Sequence, residues 1–227
     1  MCGRATLSKS KAELEKRFRA KFSPMDEEQN IVNYNVAPTQ LHPVITSENP
    51  DQIQLFKWGL IPFWAKDTKI GSRMINSRIE TITEKPSFRN AVKRRRCLVL
   101  VDGFYEWKKI DNRKQPYYIH LKNNAVFAMA GIWEKWKNPE NGALVYSFSI
   151  ITQDPNKFMA PIHNRMPAIL LPEDEQKWLN INIPVEEALQ LIQPPEDDLL
   201  AAYPVSNQVN RVSENSAELV VPLSTDQ

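Results

Sequence analysis

Residues 96–107 read RCLVLVDGFYEW, in which an apolar run at 97–101 is followed by a glycine and by a carboxylate set among aromatic side chains. Four more apolar stretches follow along the chain, and turn-forming asparagine, aspartate and glycine residues lie between several of them. Stretches of this length between turn signals are typical of the strands of antiparallel sheets. The stretches are residues 117–121, 125–133, 144–151 and 168–171, and the turn signals lie at 111–112, 123–124 and 141–142.

The flanking sequence predicts short helices and further strands. Ser10 and Glu13 form a capping-box pattern before Leu14 and Phe18, which predicts a helix that starts near Ser10. Proline and acidic residues indicate short helices near 172 and 184, and a helical pattern covers 86–96, where the basic run 93–96 suits a helix end. Residues 34–62 and 203–223 have strand and loop character. The sequence therefore predicts one α+β domain in which strands dominate.

Composition excludes several classes of protein. The chain has 227 residues, of which 42% are hydrophobic and 25% charged, as in globular domains. No apolar run approaches the ~20 residues of a membrane helix, and the N-terminus lacks the pattern of a signal peptide. We therefore expect no membrane association and a cytoplasmic location, with nucleoid association if the source is bacterial.

Cysteine and histidine are too few for a structural metal site. The two cysteines, Cys2 and Cys97, also cannot build a disulfide framework, which indicates a reducing compartment. The three histidines show no ligand spacing with these cysteines. We expect no metal and no cofactor, and Cys97, inside an apolar run, is predicted to be a core residue.

Charge is unevenly divided along the chain although the net charge is only +2. Residues 1–120 carry 22 basic and 13 acidic side chains, whereas residues 121–227 carry 7 and 14. An excess of this kind can mark a face that binds a polyanion, although halves of a sequence need not be halves of a surface.

Cys2 is a candidate reactive residue because it directly follows Met1. Removal of Met1, which is expected before a small side chain, would leave a terminal 1,2-aminothiol. Its amine, with a reference pKa of about 7.7–8.0, can form an imine with an aldehyde, and the thiol can then close a thiazolidine ring. The thiol could instead attack an amide as an N-terminal nucleophile. The alternative is that the cysteine at position 2 has no chemical role.

Two other residues are candidates for proton transfer. His163 lies in a polar segment between prolines, and Glu106 lies among aromatic residues, where burial would raise its pKa. Asp102 competes with Glu106 for the same role. The alternatives are a structural histidine and a strand whose carboxylate faces water.

Asn76 and Arg78 would point to the same face of an extended segment. Together with Arg4, Arg165 and aromatic residues such as Trp64 and Trp107, they could form a cationic groove with stacking surfaces for single-stranded nucleic acid. Ordinary surface arginines and core tryptophans are the alternative.

Several short segments of the chain resemble, in sequence and in order, the motifs of the SOS response-associated peptidase family, also called abasic site processing proteins. The resemblance spans residues 2–222 and leaves 223–227 as a C-terminal tail. Ala5 and Thr6 depart from it, since many members carry an aromatic residue there. The segments are MCGR at 1–4, YNVAPT at 34–39, WGL at 58–60, INSRIET at 75–81, RCL at 96–98, GFYEW at 103–107, IHNRMP at 162–167 and AEL at 217–219.

The resemblance implies a fold and a reaction. The expected fold is a strand-rich α+β domain with a barrel-like pair of antiparallel sheets flanked by short helices. The expected activity is covalent capture of abasic sites in single-stranded DNA as a thiazolidine on Cys2, in the DNA damage (SOS) response. Asn76, Glu106 and His163 are implied as the other active-site residues.

The resemblance also implies how DNA is bound. Contacts to phosphate are expected from Arg4, Arg78, Thr152 and Arg165, and contacts to bases beside the lesion from Pro38 and Trp107. Such contacts carry little base information, so we expect binding that depends on salt and not on sequence. The chemistry needs only a monomer.

Three alternative functions use the same residues. The first is an autoproteolytic cysteine peptidase, the hydrolase activity in the family's name, although only Met1 precedes Cys2. The second is an abasic-site lyase, in which a Cys2 imine leads to strand scission. The third is a passive DNA-binding module, which would not need Cys2.

Overall fold

The computed structural model describes residues 2–223, and the elements within that range are mostly strands. No helix in that range is both long and apolar enough to cross a bilayer. The strands are β1 Ala5–Leu7, β2 Lys21–Phe22, β3 Asn33–Val36, β4 Leu41–Thr46, β5 Gln52–Trp58, β6 Asn76–Arg78, β7 Arg96–Val101, β8 Gly103–Ile110, β9 Arg113–Leu121, β10 Phe127–Lys137, β11 Leu144–Gln153, β12 Met166–Pro167, β13 Ile169–Leu170 and β14 Leu200–Pro204. The α-helices are α1 Lys11–Phe18, α2 Arg89–Arg94, α3 Pro172–Leu179 and α4 Val185–Gln190, and 3-10 turns cover Thr68–Arg73, Ile79–Thr81, Asn207–Asn210 and Ala217–Val220.

The strands form two sheets, one of which closes on itself. The first sheet has the order β14-β9-β8-β1-β3. In the second, β11, β10, β7, β4 and β5 are neighbours in that order, and β11 also pairs with β5. This last pairing closes a five-stranded barrel. The predicted strand-rich α+β fold with barrel-like sheets is confirmed.

Most of the pairings are antiparallel, as predicted, but β5 pairs in parallel with β2 and β11, and β6 pairs in parallel with β11. These strands lie far apart in sequence, so no hairpin turn dictates their direction. The predicted turns at 111–112 and 141–142 join antiparallel neighbours, β8 with β9 and β10 with β11, whereas the turn at 123–124 leads from β9 in the first sheet to β10 in the second. Asp111 and Asn124 take the left-handed conformation, as does Gly142, with φ of 52°, 54° and 73°.

The predicted helices form, with one correction. The capping box of α1 is present, since Ser10 N donates to Glu13 Oε2 over 2.8 Å and Glu13 N donates to Ser10 Oγ over 3.3 Å. The helix predicted at 86–96 is shorter, because Arg96 begins β7 and its side chain is buried. Its guanidinium donates to the carbonyl oxygens of Asn180 and Ile183. Arg96 therefore does not decorate a helix end.

The core has two main apolar clusters, one on the helix side of the barrel and one between the two sheets. Leu14, Phe18 and Trp178 belong to the first cluster, and Cys2 and Cys97 to the second. The prediction that Cys97 is a core residue is confirmed, since its exposure is 0%. Trp64, by contrast, is 49% exposed.

The segment before and after β1 is fixed to the corner between β7 and β8. Asp102 accepts hydrogen bonds from Thr6 Oγ1 at 2.5 Å, Ser8 N at 2.7 Å and Ser8 Oγ at 2.5 Å. Tyr105 N donates to Arg4 O at 2.9 Å, which extends the β1–β8 pairing toward the N-terminus. Asp102 is thus structural, and the register, continued toward the N-terminus, brings Gly3, next to Cys2, level with Glu106.

We expect Asp102→Ala to lower the free energy of unfolding by about 3 kcal/mol, because it leaves donors of Thr6 and Ser8 without their charged acceptor. Urea denaturation measures the change. Asp51→Ala, at an exposed position, is the control and should stay within about 0.5 kcal/mol of wild type. Equal effects of the two substitutions would contradict this role of Asp102.

Candidate active site

Cys2 lies between the two sheets and is fully buried. Its carbonyl oxygen accepts a hydrogen bond from Asn76 Nδ2 at 2.7 Å, and its sulfur lies 4.0 Å from Arg4 O. Burial is the main cause that raises the pKa of its thiol far above the usual range, and the charge of Glu106 adds to it. The thiol is therefore protonated in this setting, and a base must take its proton before it can act as a thiolate.

Glu106 lies on β8 with only 2% of its surface exposed. Its Oε2 is 3.7 Å from Nε2 of His163. Burial raises the pKa of this carboxyl to about 7, although the backbone N–H of Trp107 favours the ionised form. Near neutral pH the group can therefore either donate or accept a proton.

His163 is held by backbone groups on the side of its ring away from Glu106. Its Nδ1 lies 3.0 Å from the N–H nitrogen of Arg165 and 3.1 Å from the carbonyl oxygen of the same residue. Nδ1 can therefore accept from the first when the ring is neutral and donate to the second when it is charged. Burial lowers the pKa of His163, and the positive charge of Lys114 contributes.

A cavity of about 420 Å³ opens from these two residues to the surface. Glu106 and His163 line it together with Trp107, Lys114 and Asn210. Trp107 is partly exposed and donates from Nε1 to Asn210 Oδ1 at 2.9 Å. The cavity is thus a polar opening with one aromatic wall.

The four predicted catalytic residues come together from distant segments. Asn76 lies on β6, which β11 holds by parallel pairing of Ile150 with Asn76. Asn76 bonds to Cys2, the charge of Glu106 acts on the Cys2 thiol, and Glu106 lies 3.7 Å from His163. The arrangement can hold a nucleophile in place and move protons beside it.

The residues predicted to bind DNA differ in how available they are. Arg78 is exposed, and Pro38 is partly exposed in the turn after β3. Thr152 is fully buried, and its hydroxyl has no hydrogen-bond partner within residues 2–223. The role of each toward DNA stays a prediction.

Arg4 and Arg165 are already engaged with protein atoms. Arg165 makes a bidentate pair with Glu80 at 2.6 and 2.9 Å, and it also bonds to Asp154 and to Thr152 O. Arg4 donates to Asn35 Oδ1 and to the carbonyl oxygen of Val209. A phosphate could reach Arg165 in this geometry only by competing with Glu80.

The sequence reasoning did not identify Lys114 and Asn210 as lining residues. Lys114 could have been found, because the predicted turn at 111–112 places it on a hairpin with Glu106. Asn210 lies in the C-terminal region, and no local pattern links it to this site. Within residues 2–223, no group of three or more histidine, cysteine or acidic side chains is arranged to bind a metal ion.

The profile of the family described as SOS response associated peptidase (SRAP) matches residues 1–212. The chain is 45% identical over 224 residues to "Abasic site processing protein YoaM" of Bacillus subtilis, and the match covers 97% of each chain. It is 33% identical over 264 residues to "Abasic site processing protein HMCES" of Gallus gallus, which covers 98% of this chain and 78% of the relative.

Solved structures share the fold. A crystal structure of a protein from Bacteroides thetaiotaomicron superposes with a TM-score of 0.91 at 34% identity and covers 97% of this chain and 99% of its own. A protein from Bordetella bronchiseptica gives a TM-score of 0.78 at 22% identity, over 90% of this chain and 100% of its own, and supports the fold alone.

The raised pKa of Glu106 predicts a pH-dependent effect of Glu106→Gln on stability. A carboxyl whose folded pKa exceeds its unfolded value destabilises the fold as pH rises between the two values, here from 4.5 to about 7. Since glutamine cannot ionise, the variant should gain stability relative to wild type between pH 5 and pH 8, by up to about 3 kcal/mol. Melting temperatures at both pH values measure the gain. Glu187→Gln, at an exposed position of α4, is the control and should show no such gain. An equal gain in the control, or a loss of stability in Glu106→Gln, would contradict the raised pKa of Glu106.

Proposed function

The chain belongs to the SOS response associated peptidase family of abasic site processing proteins, and from this membership we propose that it captures abasic sites in single-stranded DNA covalently through Cys2. The observation that carries the proposal is that Asn76 binds the Cys2 carbonyl while Glu106, whose charge acts on the Cys2 thiol, lines one cavity with His163. We also propose that it acts as a monomer, since all four residues belong to one chain, and that it acts in the cytoplasm, since its two cysteines suit a reducing compartment.

The proposed reaction starts from a free terminal cysteine, made by removal of Met1. The hydrogen bond from Asn76 to the Cys2 carbonyl would fix the backbone that carries both the amine and the thiol. The neutral amine is then the nucleophile, and its pKa of about 7.7–8.0 leaves part of it neutral at physiological pH.

The sugar must open before the amine can react. In the closed form C1′ carries a hydroxyl group, and opening moves that hydroxyl proton away while the ring oxygen gains one. Glu106, with a pKa of about 7, is suited to donate the proton to the ring oxygen, and His163 to accept the other. The product is an aldehyde at C1′.

Capture then takes two steps. The amine nitrogen attacks C1′ and the resulting carbinolamine loses one water, which gives an imine. The thiol next adds across the C=N bond, with sulfur bonding to C1′ and a proton ending on nitrogen. A thiol buried next to the imine carbon favours this closure over loss of the 3′ phosphate, which supports a cross-linker over a lyase.

We expect wild type to form a heat-stable and detergent-stable adduct with single-stranded DNA that carries one abasic site, and Cys2→Ala to form none. A denaturing gel measures it, with intact mass as the check of Met1 removal. Cys2→Ala and Cys2→Ser both keep the amine, and Cys2→Ser is the matched variant because a hydroxyl replaces the thiol. Each should give an adduct only when a borohydride reduces the imine.

Two results would overturn the cross-linking proposal. Strand scission without an adduct would favour the lyase, and no adduct despite a free terminal cysteine would leave the peptidase. An adduct of equal yield in Cys2→Ala would show that another group reacts.

The proposed role of Glu106 predicts the pH profile of capture. Its protonated fraction falls above about pH 7, whereas the neutral fraction of the amine rises toward pH 8, so the wild-type rate should pass through a maximum between them. Glu106→Gln should be roughly 10²-fold slower and should lose the decline at high pH. Single-turnover rates from pH 5.5 to 9 measure both. An unchanged profile in the variant would assign the acid to another group.

A further inference from the structure

The hairpin of β8 and β9 extends beyond the site and is basic at its outer end. Lys108, Lys109, Arg113 and Lys114 lie there, with Asp111 as the one acidic residue of 108–114. Lys109 and Lys114 are directly opposite each other in the register. Like charges at such positions repel, so a bound anion would relieve an existing cost.

These four cations can bind an anion without breaking an ion pair, unlike Arg165 near the site. Within residues 2–223, none of the four has a carboxylate within salt-bridge distance, although Lys108 lies 5.9 Å from the centre of the Tyr117 ring. Arg165, in contrast, is paired with Glu80 and Asp154. The hairpin therefore presents unpaired positive charge to solvent.

Lys114 connects the hairpin with the reacting residues. It lines the cavity of Glu106 and His163, and it also lines a second cavity of about 650 Å³. Its charge is near enough to His163 to lower the pKa of that ring. The second cavity continues along the hairpin past Arg113 and Ile110, and Ile110 is 44% exposed. The cationic surface is thus continuous from the catalytic groups to the hairpin tip.

We propose that this hairpin is a DNA-binding arm, in which Lys114 contacts the phosphate next to the lesion and Arg113 and Lys109 contact phosphates farther along the same strand. The inference rests on the proposed function for the identity of the ligand. Ile110 gives an unpaired base an apolar surface, which suits a single strand. Contacts of this kind are independent of base sequence.

Binding to an intact single-stranded oligonucleotide tests the arm without any covalent chemistry. Fluorescence anisotropy at 50 to 200 mM salt gives the slope of log affinity against log salt. Each phosphate contact on a single strand contributes about 0.7 to that slope. Lys114→Gln should reduce the slope by about 0.7, and the Arg113→Gln, Lys114→Gln double variant by about 1.4. Lys16→Gln, which removes the same charge from exposed α1, should leave the slope unchanged.

The outcomes separate the arm from the reaction. A wild-type slope in the double variant, an equal loss in Lys16→Gln, or no binding by wild type would each overturn the arm. If wild type still forms the abasic-site adduct in those cases, the proposed function stands. If the arm variants change the slope but wild type forms no adduct, the arm stands and the proposed function fails. Lys114 is exposed, so Lys114→Gln should have the melting temperature of wild type. This single variant therefore tests the arm even if the double variant is unstable.

Discussion

The hydrogen bonds between the first strand and the corner of β7 and β8 determine where Cys2 lies. β1 is three residues long, too short to be held firmly by ladder bonds alone. Asp102 adds three hydrogen bonds from Thr6 and Ser8, and the bond from Tyr105 N to Arg4 O carries the pairing past the strand. Because the pairing sets which residues are neighbours, this register brings Gly3 level with Glu106 and holds Cys2, the next residue, close to it.

Desolvation then shapes the chemistry of the site. Burial raises the pKa of Glu106 and lowers that of His163, so it moves both groups away from a charged pair. At 3.7 Å they are close, yet near neutral pH a carboxylic acid and a neutral imidazole are favoured over two buried ions. Glu106, with a pKa of about 7, can therefore gain or lose a proton near neutral pH, as its proposed role as an acid requires.

Local sequence patterns predicted the elements better than their arrangement. The capping box at Ser10 and the turn at Asp111 depend on neighbouring residues only, and both are present. The parallel contact of β11 with β5, which closes the barrel, depends on the order of strands in space, and no local pattern encodes it. The same reason applies to the site. Taken singly, Cys2 and His163 each had a structural explanation that local sequence favoured, and their proposed role rested on the family resemblance.

Basic residues have two different roles in this protein, which depend on whether their side chains are buried or exposed. The excess of basic residues in 1–120 pointed to a polyanion, but Arg96 is buried against carbonyl oxygens and Arg4 bonds to Asn35 and Val209. Cations used in this way stabilise the fold and attract DNA weakly. Only unpaired, exposed cations can neutralise phosphates and release counterions. Affinity for DNA should therefore be sought in Arg78 and the β8–β9 hairpin, whose basic side chains form no ion pair within residues 2–223, and not in the total count of basic residues.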